Sequence, residues 1–368
     1  MKIINIIQDL ATPHNNVLIE QLKARKDVQL NLWYVQEMDH SRYQWKNDIT
    51  HEHVQAQLYG SKFNWRFLAY CLTHPEEIFF IVGWMNINTR ILHLVFFLLR
   101  RPYNHWTDLP KPKSRKIMVK EQILRWMAYQ ILRFSRSKIF CVGQVTIDRF
   151  RSWGFPESKL VNLPIFVTVD EDIEGHRRRR QEFFSRYGLA DNGFLVSSGS
   201  RLIYEKGYDL LIQAVSLLPS EIRSDLKVVI VGSGDELANL ENSVAKLGLG
   251  DCVVFEKWLA IEDFKGLIAN SEVFVHPARF DAFGGTIFAM ALGVPVIGSS
   301  GAAAAVDRIE HGCNGILYDA EDTKALADAI SKLYREPDLK RSMAQSARNT
   351  AVNWHPRRGA EILVDNAI

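Results

Sequence analysis

The stretch Val273–Ser300 reads VFVHPARFDAFGGTIFAMALGVPVIGSS and decides the fold. It opens and closes with a short apolar strand, and between the strands an aromatic and glycine-rich loop leads into a helix of about ten residues. We expect Gly293 and Pro295 to end that helix. Strand, loop, helix and strand form one crossover unit of a parallel sheet, and the loop lies beyond the carboxyl end of the first strand, where such sheets bind ligands.

The loop itself predicts an anion site. Phe283, Gly284, Gly285 and Thr286 open the helix. Two glycines let a ligand approach the backbone closely, and the free amides at the positive end of a helix attract an anion, most simply a phosphate. We therefore predict that these four residues contact the phosphates of a bound ligand.

The order His-Pro-x-x-x-x-Asp-x-Phe-Gly, then Ala-Met-Ala-x-Gly-x-Pro-Val, resembles the signature of family 4 of the retaining, nucleotide-sugar-dependent glycosyltransferases, which have the GT-B fold. That signature has Glu where Asp281 stands and a second Glu at the position of Phe288 or Ala289. This chain is one residue shorter there and lacks the second carboxylate, which in the family binds the ribose hydroxyls of the donor. The resemblance implies that Asp281 hydrogen-bonds hydroxyl groups of the donor sugar.

A second segment of the resemblance, GSRLIYEKGYD at 199–209, matches the family's Gly-Arg-Leu…Lys-Gly-x-Asp segment. In the family this Arg and Lys bind the donor diphosphate, which implies that role for Arg201 and Lys206, with Gly199 and Ser200 beside the donor. Elementary electrostatics supports the assignment. Negative charge builds on the β-phosphate as the sugar leaves, and two fixed cations stabilise that charge most in the transition state.

Two further turns belong to the expected donor site. Gly232 and Gly234 follow a strand and match the family's Val-Gly-x-Gly, which approaches the nucleotide. Trp258 and Leu259 lie in the loop that meets the base in the family, although Lys257 stands where relatives have Gly. The base is left undetermined, and we favour a UDP-sugar as the donor substrate. No cofactor is expected.

In the first half, loops after predicted strands supply the other candidate residues. His14 and Asn15 are candidates for contact with the sugar or the acceptor; the alternative is that Asn15 or Asn16 caps a helix over Val17–Arg25. Asp108 follows a later strand, where related enzymes place a group near the anomeric carbon of the donor. We predict a role for Asp108 in the site, with capping of its own loop as the alternative.

The segment Lys111–Lys138 carries nine basic residues and one acidic residue. Apolar and aromatic residues recur in it at helical spacing, which predicts an amphipathic helix that docks on an anionic membrane surface. The alternative is a helix packed in the core with a solvated charged side. Residues 1–170 carry 23 Lys and Arg against 14 Asp and Glu, whereas 171–368 carry 22 against 28. We expect no nucleic-acid partner, because no recognition module accompanies the charge.

A chain of 368 residues is longer than a single hydrophobic core usually supports, so we expect two domains. The predicted class is α/β, GT-B, with two doubly wound Rossmann-like parallel-sheet domains facing a cleft. The predicted bounds are 1–168 for the acceptor-side domain, 169–192 for a linker, 193–353 for the nucleotide-sugar domain and 354–368 for a helix that crosses back. We expect no metal at the linker's Asp170-Glu171-Asp172, because charge-dense linkers produce this pattern by chance.

The four cysteines predict a cytoplasmic protein. Cys71, Cys141, Cys252 and Cys313 are scattered and form no Cys-x-x-Cys pair, which favours reduced thiols over a disulfide framework or zinc site. The apolar run at the start is too short for a signal peptide, and Ile91–Leu99 is half the length needed to span a bilayer. Peripheral attachment to the inner face of the cytoplasmic membrane follows from the basic segment.

These observations together predict a retaining, metal-independent glycosyltransferase. It would move a hexose or similar sugar to a glycan or lipid-linked glycan in surface polysaccharide or glycolipid assembly. One alternative is a catalytically inactive scaffold or partner subunit, suggested by the missing second carboxylate. The other is a nucleotide-sugar epimerase of the same fold, which would need acid and base carboxylates that we do not identify.

Overall fold

The computed structural model describes residues 1–9, 13–34, 56–58, 62–84, 86–110, 119–169 and 172–368, without the side chains of 13–14, 56–58 and 119–121. The chain divides into two compact units. The first unit comprises 1–166 together with 356–368, and the second comprises 167–355. Among the described residues, no helix is both long and apolar enough to cross a membrane.

A parallel sheet forms the centre of the first unit. Its described strands are β1 (Lys2–Gln8), β2 (Val28–Tyr34), β3 (Ala56–Leu58), β4 (Ile78–Val82), β5 (Tyr103–Thr107), β6 (Ser137–Cys141) and β7 (Leu160–Asn162). They pair in the order β3-β2-β1-β4-β5-β6-β7. The central strand β4 is a continuous apolar run because helices cover both faces of such a sheet, whereas its neighbours β1 and β5 also bury polar side chains such as Asn5 and His105. The strand order reverses between β1 and β4, which opens a crevice at their carboxyl ends.

The helices of the first unit surround this sheet. They are α1 (Pro13–Lys23), α2 (Trp65–Thr73), α3 (Ile87–Leu98), α4 (Val119–Phe134) and α5 (Gln144–Ser152), joined by a C-terminal helix at Pro356–Asn366. The C-terminal helix is tied to the sheet, because Lys2 Nζ donates to the Val364 carbonyl at 2.8 Å. The helix expected over Val17–Arg25 begins earlier than predicted, since proline fits the first turn of a helix.

A second parallel sheet forms the centre of the second unit. Its strands are β8 (Phe194–Gly199), β9 (Leu226–Val231), β10 (Val253–Glu256), β11 (Val273–His276), β12 (Val296–Ser299) and β13 (Gly315–Tyr318). They pair in the order β10-β9-β8-β11-β12-β13, so the strand order reverses between β8 and β11. Inward-facing Val, Ile and Leu side chains of these strands form one core with the flanking helices.

Helices flank this sheet as well. They are α6 (Ile173–Arg177), α7 (Arg180–Arg186), α8 (Tyr208–Ser216), α9 (Ser220–Asp225), α10 (Leu237–Lys246), α11 (Ile261–Ala269), α12 (Thr286–Ala291), α13 (Ala303–Arg308), α14 (Thr323–Arg335) and α15 (Pro337–Val352), and the C-terminal helix is α16. The segment predicted as a linker contains α6 and α7, with Phe183 and Phe184 buried. Asp172 caps α6 by accepting a hydrogen bond from the Gly175 amide at 3.2 Å, whereas 170–171 lie outside the described residues.

The helix after the organising loop is shorter than predicted. α12 has six residues, not about ten. It begins only after the two glycines, and Gly293 in the left-handed region (φ 68°) closes its end. The Val294 amide reaches back to the Ala289 carbonyl at 2.8 Å, the bond that terminates a helix at such a glycine. A helix of this length has a weak dipole, so any anion at this loop depends on other charges as well.

Candidate active site

The loops that follow β8 and β11 meet at the switch point of the second sheet. In a doubly wound sheet this is the place where the backbone leaves a crevice for a ligand. The loop after β8 carries Arg201 and Lys206, and the loop after β11 carries Asp281. Glu205 holds the two loops together, because its carbonyl accepts the amides of Arg279 and Phe280 at 2.9 and 3.0 Å.

Four side chains form a buried polar chain across these loops. Lys206 and Asp281, each less than one tenth exposed, form an ion pair through Asp281 Oδ2. The same oxygen lies 3.0 Å from His276 Nε2. His276 Nδ1 lies 2.8 Å from the hydroxyl of Thr286, the first residue of α12. The lysine predicted to contact the diphosphate is therefore held by the carboxylate predicted to contact the sugar.

The chemistry of the partners fixes the direction of these hydrogen bonds. An ionised carboxylate only accepts, so the proton on His276 lies on Nε2 and points at Asp281. Burial alone would raise the pKa of Asp281, but the hydrogen bond from His276 and the charge of Lys206 outweigh it and hold that pKa below its usual range. Asp281 is therefore a carboxylate at neutral pH.

Arg279 stabilises the same loops through contacts with Asp209 and Tyr204. Its guanidinium makes a bidentate ion pair with Asp209 at 2.7 and 2.6 Å. It also donates to the Tyr204 carbonyl at 3.0 Å and lies 4.1 Å from the centre of the Tyr204 ring. Because Tyr204 and Lys206 share one short 3-10 turn, these contacts fix the backbone that carries the Lys206 ammonium.

The side chains of Arg201 and Ser200 differ in whether they have a partner within the described part of the chain. Arg201 is exposed, and its side chain makes no ion pair or hydrogen bond with the part of the chain that the structure describes. Its guanidinium can therefore turn toward a ligand. The hydroxyl of Ser200 lies 2.8 Å from that of the buried Tyr208. Ser200, which we predicted to lie beside the donor substrate, therefore already has a hydrogen-bond partner within the unit.

The glycines after β9 have a packing role. A Cβ on Gly232 would lie 1.9 Å from the Ser200 carbonyl oxygen, and one on Gly234 would lie 2.2 Å from that of Leu202. The loops after β8 and β9 thus touch backbone to backbone, which other residues would prevent. Gly199, the last residue of β8, is part of the same contact.

The remaining residues predicted for the donor surround these loops. Gly284 lies against the ring of His276, and Gly285 lies against the ring of Phe274. Phe283 is half-buried beside them. Trp258 and Leu259 are half-buried in the loop after β10, and the Trp258 indole donates to the Ser233 hydroxyl at 2.7 Å.

Three predicted site residues belong to the first unit, whereas the cluster around Lys206 belongs to the second. Asn15 falls in the first turn of α1 and donates to Gln8 Oε1 at 2.8 Å. His14 is in the same turn, and its side chain lies outside the described part of the chain. Asp108 is exposed immediately after β5. All three follow carboxyl ends of strands in the first sheet, as expected.

A comparison with known proteins finds a family match in the second unit. Residues 179–350 match the model of the family Glycosyl transferases group 1. The matched residues lie within the second unit, which we call the group 1 unit. A GDP-mannose-dependent alpha-(1-6)-phosphatidylinositol monomannoside mannosyltransferase of Mycolicibacterium smegmatis is 33% identical over 235 residues, which are 60% of this chain and 59% of that protein. The chain thus spans about three fifths of that relative's length.

Further relatives extend beyond the group 1 unit. The capsular polysaccharide biosynthesis glycosyltransferase CapM of Staphylococcus aureus is 25% identical over 298 residues, 77% of this chain and 74% of that protein. The crystal structure of HepE from Anabaena in complex with UDP is 20% identical, and the match covers 99% of each chain with a TM-score of 0.79. This likeness confirms the predicted fold class, GT-B.

Two residues of the group 1 unit join the site although the sequence alone did not select them. His276 and Arg279 both lie in the quoted stretch, within HPARFD. A histidine after an apolar strand is usually a core residue, and a lone arginine is usually solvated, so neither residue type is a signal by itself. Their position beside Asp281, in a loop expected at a ligand crevice, was the available hint.

Proposed function

We propose that the protein transfers a sugar from a nucleoside diphosphate sugar to a glycan or lipid-linked glycan acceptor. The observation that carries the proposal is the pair of cations after β8. Lys206 is held by Asp281, and Arg279 contacts the turn that carries it, while the exposed Arg201 has no side-chain partner among the described residues. Such a pair, at the switch point of the sheet, suits a diphosphate whose charge increases as the sugar leaves.

Leaving-group stabilisation is the main catalytic contribution in this proposal. Arg201 and Lys206 bind the diphosphate oxygens, and their attraction grows as the bond to the sugar breaks. The amides at the start of α12 add hydrogen-bond donors, and the ion pair with Asp281 orients the Lys206 ammonium. Transfer proceeds with retention of configuration and without a metal ion or cofactor. The donor carries a hexose or similar sugar, and UDP is the nucleotide that we favour.

The proposed acceptor belongs to surface polysaccharide or glycolipid assembly. CapM is named for capsular polysaccharide biosynthesis, and the mycobacterial relative is named for a phosphatidylinositol monomannoside. Both names agree with an acceptor that is a growing glycan or carries a lipid. A lipid-linked acceptor would place the enzyme on the inner face of the cytoplasmic membrane, where Lys111–Lys138 contributes positive charge.

The nucleotide base is the open part of the donor assignment. HepE was solved with UDP, whereas the name of the mycobacterial relative specifies GDP-mannose. Titration calorimetry with a panel of UDP-, GDP- and ADP-sugars tests the proposal and selects the base. We expect one base to bind and the others to bind at least tenfold more weakly. A protein that binds none would be a scaffold, and one that epimerises the free nucleotide sugar would be an epimerase.

Substitution of the two cations tests their assigned role. We expect Arg201→Ala and Lys206→Ala each to lower turnover more than tenfold, because loss of one preorganised donor to a transition-state oxyanion costs about 2.7–4 kcal/mol. Arg223, a cation on α9 away from these loops, provides the matched control as Arg223→Ala. Turnover at the wild-type rate in either site variant would refute the placement. The anomeric configuration of the product, followed by NMR, tests retention.

A further inference from the structure

Exposed apolar side chains are concentrated in one part of the first unit. Of the nineteen large apolar side chains exposed among the described residues, twelve lie between 63 and 134. Trp65 is 72% exposed, Leu98 67%, Trp126 63% and Phe134 67%. Single exposed apolar residues are normal on a protein surface, but a cluster of this size marks an interaction surface.

Ten of these twelve side chains belong to three helices on the same side of the sheet, while Phe63 precedes α2 and Leu99 follows α3. The inner sides of α2, α3 and α4 contribute to one core cluster, through residues such as Phe67, Phe96 and Leu132. Right-handed crossovers between parallel strands place successive helices side by side in this way. The opposite, outward sides of α2, α3 and α4 form one surface, which we call the outer helix face.

The sequence pattern of α4 leaves two orientations open. Ile123, Leu124 and Met127 recur at helical spacing, which is also typical of a helix packed in the core. In the structure all three are at least 41% exposed. α3 is similar, because Leu98 and Leu99 continue an apolar run yet point outward at 67% and 62% exposure.

The charge around the outer helix face is positive. Residues 62–84, 86–110 and 122–138 carry nine Lys and Arg against three Asp and Glu. Arg66, Arg100 and Arg136 are exposed beside the apolar side chains. Glu77, one of the three acids, is engaged within the unit by Asn5 and Tyr70. Two copies of this face would bring like charges together, whereas an anionic lipid surface complements both its charge and its apolar side chains.

We propose that the outer helix face docks on an anionic lipid bilayer. Trp65, Trp126 and the Leu98-Leu99 pair enter the boundary between headgroups and acyl chains, and the neighbouring arginines bind the anionic headgroups. This inference rests on the proposed function in taking the acceptor to be lipid-linked. It goes beyond the basic segment of the sequence, because α2 and α3 are part of the surface.

The test is sedimentation of the full chain with vesicles. We expect the wild-type protein to partition at least tenfold more strongly onto vesicles of phosphatidylcholine with phosphatidylglycerol than onto phosphatidylcholine alone. Leu98→Glu combined with Leu99→Glu, and separately Trp126→Glu, should each lower binding to the anionic vesicles more than tenfold. Leu217→Glu, at a leucine of the second unit that is 56% exposed, is the matched control and should bind like wild type.

Several outcomes would overturn the proposal. Equal partitioning onto both vesicle types would do so, as would full binding by the Leu98 and Leu99 variant. A wild-type dimer in solution that the same variant dissociates would assign the face to a second copy of the chain instead. Donor calorimetry on the same samples separates the two proposals, because the changed residues lie outside the unit that carries Arg201 and Lys206. Vesicle binding without nucleotide-sugar binding would refute only the proposed transfer.

Discussion

At the scale of single residues, the charge of the site depends on Asp281. Its Oδ2 accepts hydrogen bonds from both His276 and Lys206, and all three side chains are buried. The carboxylate therefore competes with any diphosphate for the Lys206 ammonium. His276 reduces that competition, since the proton that it donates satisfies part of the carboxylate's charge.

Removal of His276 should therefore weaken donor binding. In His276→Ala, Asp281 keeps only Lys206 as a charged partner and holds the ammonium more tightly, so we expect the Kd of the donor to rise about tenfold. The folded state should lose about 1–3 kcal/mol, because buried oxygens lose their partner. His276→Gln, which can replace one hydrogen bond, should recover part of the affinity.

Titration calorimetry measures both variants. His311→Ala is the control, because His311 is exposed near β13 and its ring hydrogen-bonds the Leu317 backbone. An unchanged Kd of the donor substrate in folded His276→Ala would show that this histidine does not position Lys206 for donor binding.

Two buried histidines in the first unit predict a dependence of stability on pH. His93 and His105 are 2% and 3% exposed, and their rings lie 4.9 Å apart. Burial lowers the pKa of His93 from 6.5 to about 4 and lowers that of His105 well below its ordinary value. Both groups are neutral in the folded protein, so below pH 6.5 protons bind the unfolded chain preferentially.

We therefore expect the first unit to lose stability as the pH falls from about 6.5 toward 4. His93 alone should contribute about 2 kcal/mol between pH 7.5 and 5. Hydrogen exchange of β4 and β5, corrected for intrinsic rates, measures the opening free energy at both pH values. His93→Gln should show a smaller decrease than wild type. Equal decreases in the two proteins would contradict the assignment.

At the scale of elements, one lysine contacts the C-terminus of α4. Lys159 Nζ donates to the carbonyls of Leu132, Arg133 and Ser135 at 2.7, 3.0 and 2.6 Å. The last carbonyls of a helix lack backbone donors within it, and a cation at this end also stabilises the helix dipole. The Leu132 carbonyl also accepts from the hydroxyls of Ser135 and Ser137 at 3.0 and 3.3 Å. Burial lowers the pKa of Lys159 to about 8, so the ammonium still predominates at neutral pH.

Lys159→Met should destabilise the last turn of α4 by about 1–2 kcal/mol. Hydrogen exchange of the peptides that contain Leu132 to Ser135 measures the effect at neutral pH. Lys246→Met, at an exposed lysine in the last turn of α10, is the control and should change little. Unchanged protection in the Lys159 variant would show that the three carbonyls are satisfied in another way.

Elements also show where the sequence pattern is sufficient and where it is not. The alternation of apolar strand, glycine loop and helix predicts β11, its loop and β12, because a parallel strand buried on both sides leaves little freedom. The length of α12 could not be predicted from this pattern. Gly284 and Gly285 pack against the rings of His276 and Phe274, and the helix begins only after them. For α4 the pattern left two alternatives, because core packing and surface docking require the same helical period, and the structure exposes its apolar residues Ile123, Leu124 and Met127.

At the scale of the whole molecule, the two units differ in charge and in role. The cations proposed to bind the donor, with the His276 and Asp281 chain, belong to the group 1 unit, whereas the basic and apolar outer helix face belongs to the first unit. The motifs predicted Arg201, Lys206 and Asp281 in neighbouring loops because their spacing follows the strand ends. The contact between Lys206 and Asp281 could not be predicted, since it depends on how two loops distant in sequence pack.

The most direct test of the central claim is a crystal structure of the protein with the nucleoside diphosphate that calorimetry selects. We predict that oxygens of the β-phosphate lie within hydrogen-bond distance of both Lys206 Nζ and the Arg201 guanidinium, beside the start of α12. A nucleotide bound away from the loops after β8 and β11, or bound there with both cations turned away, would contradict the account.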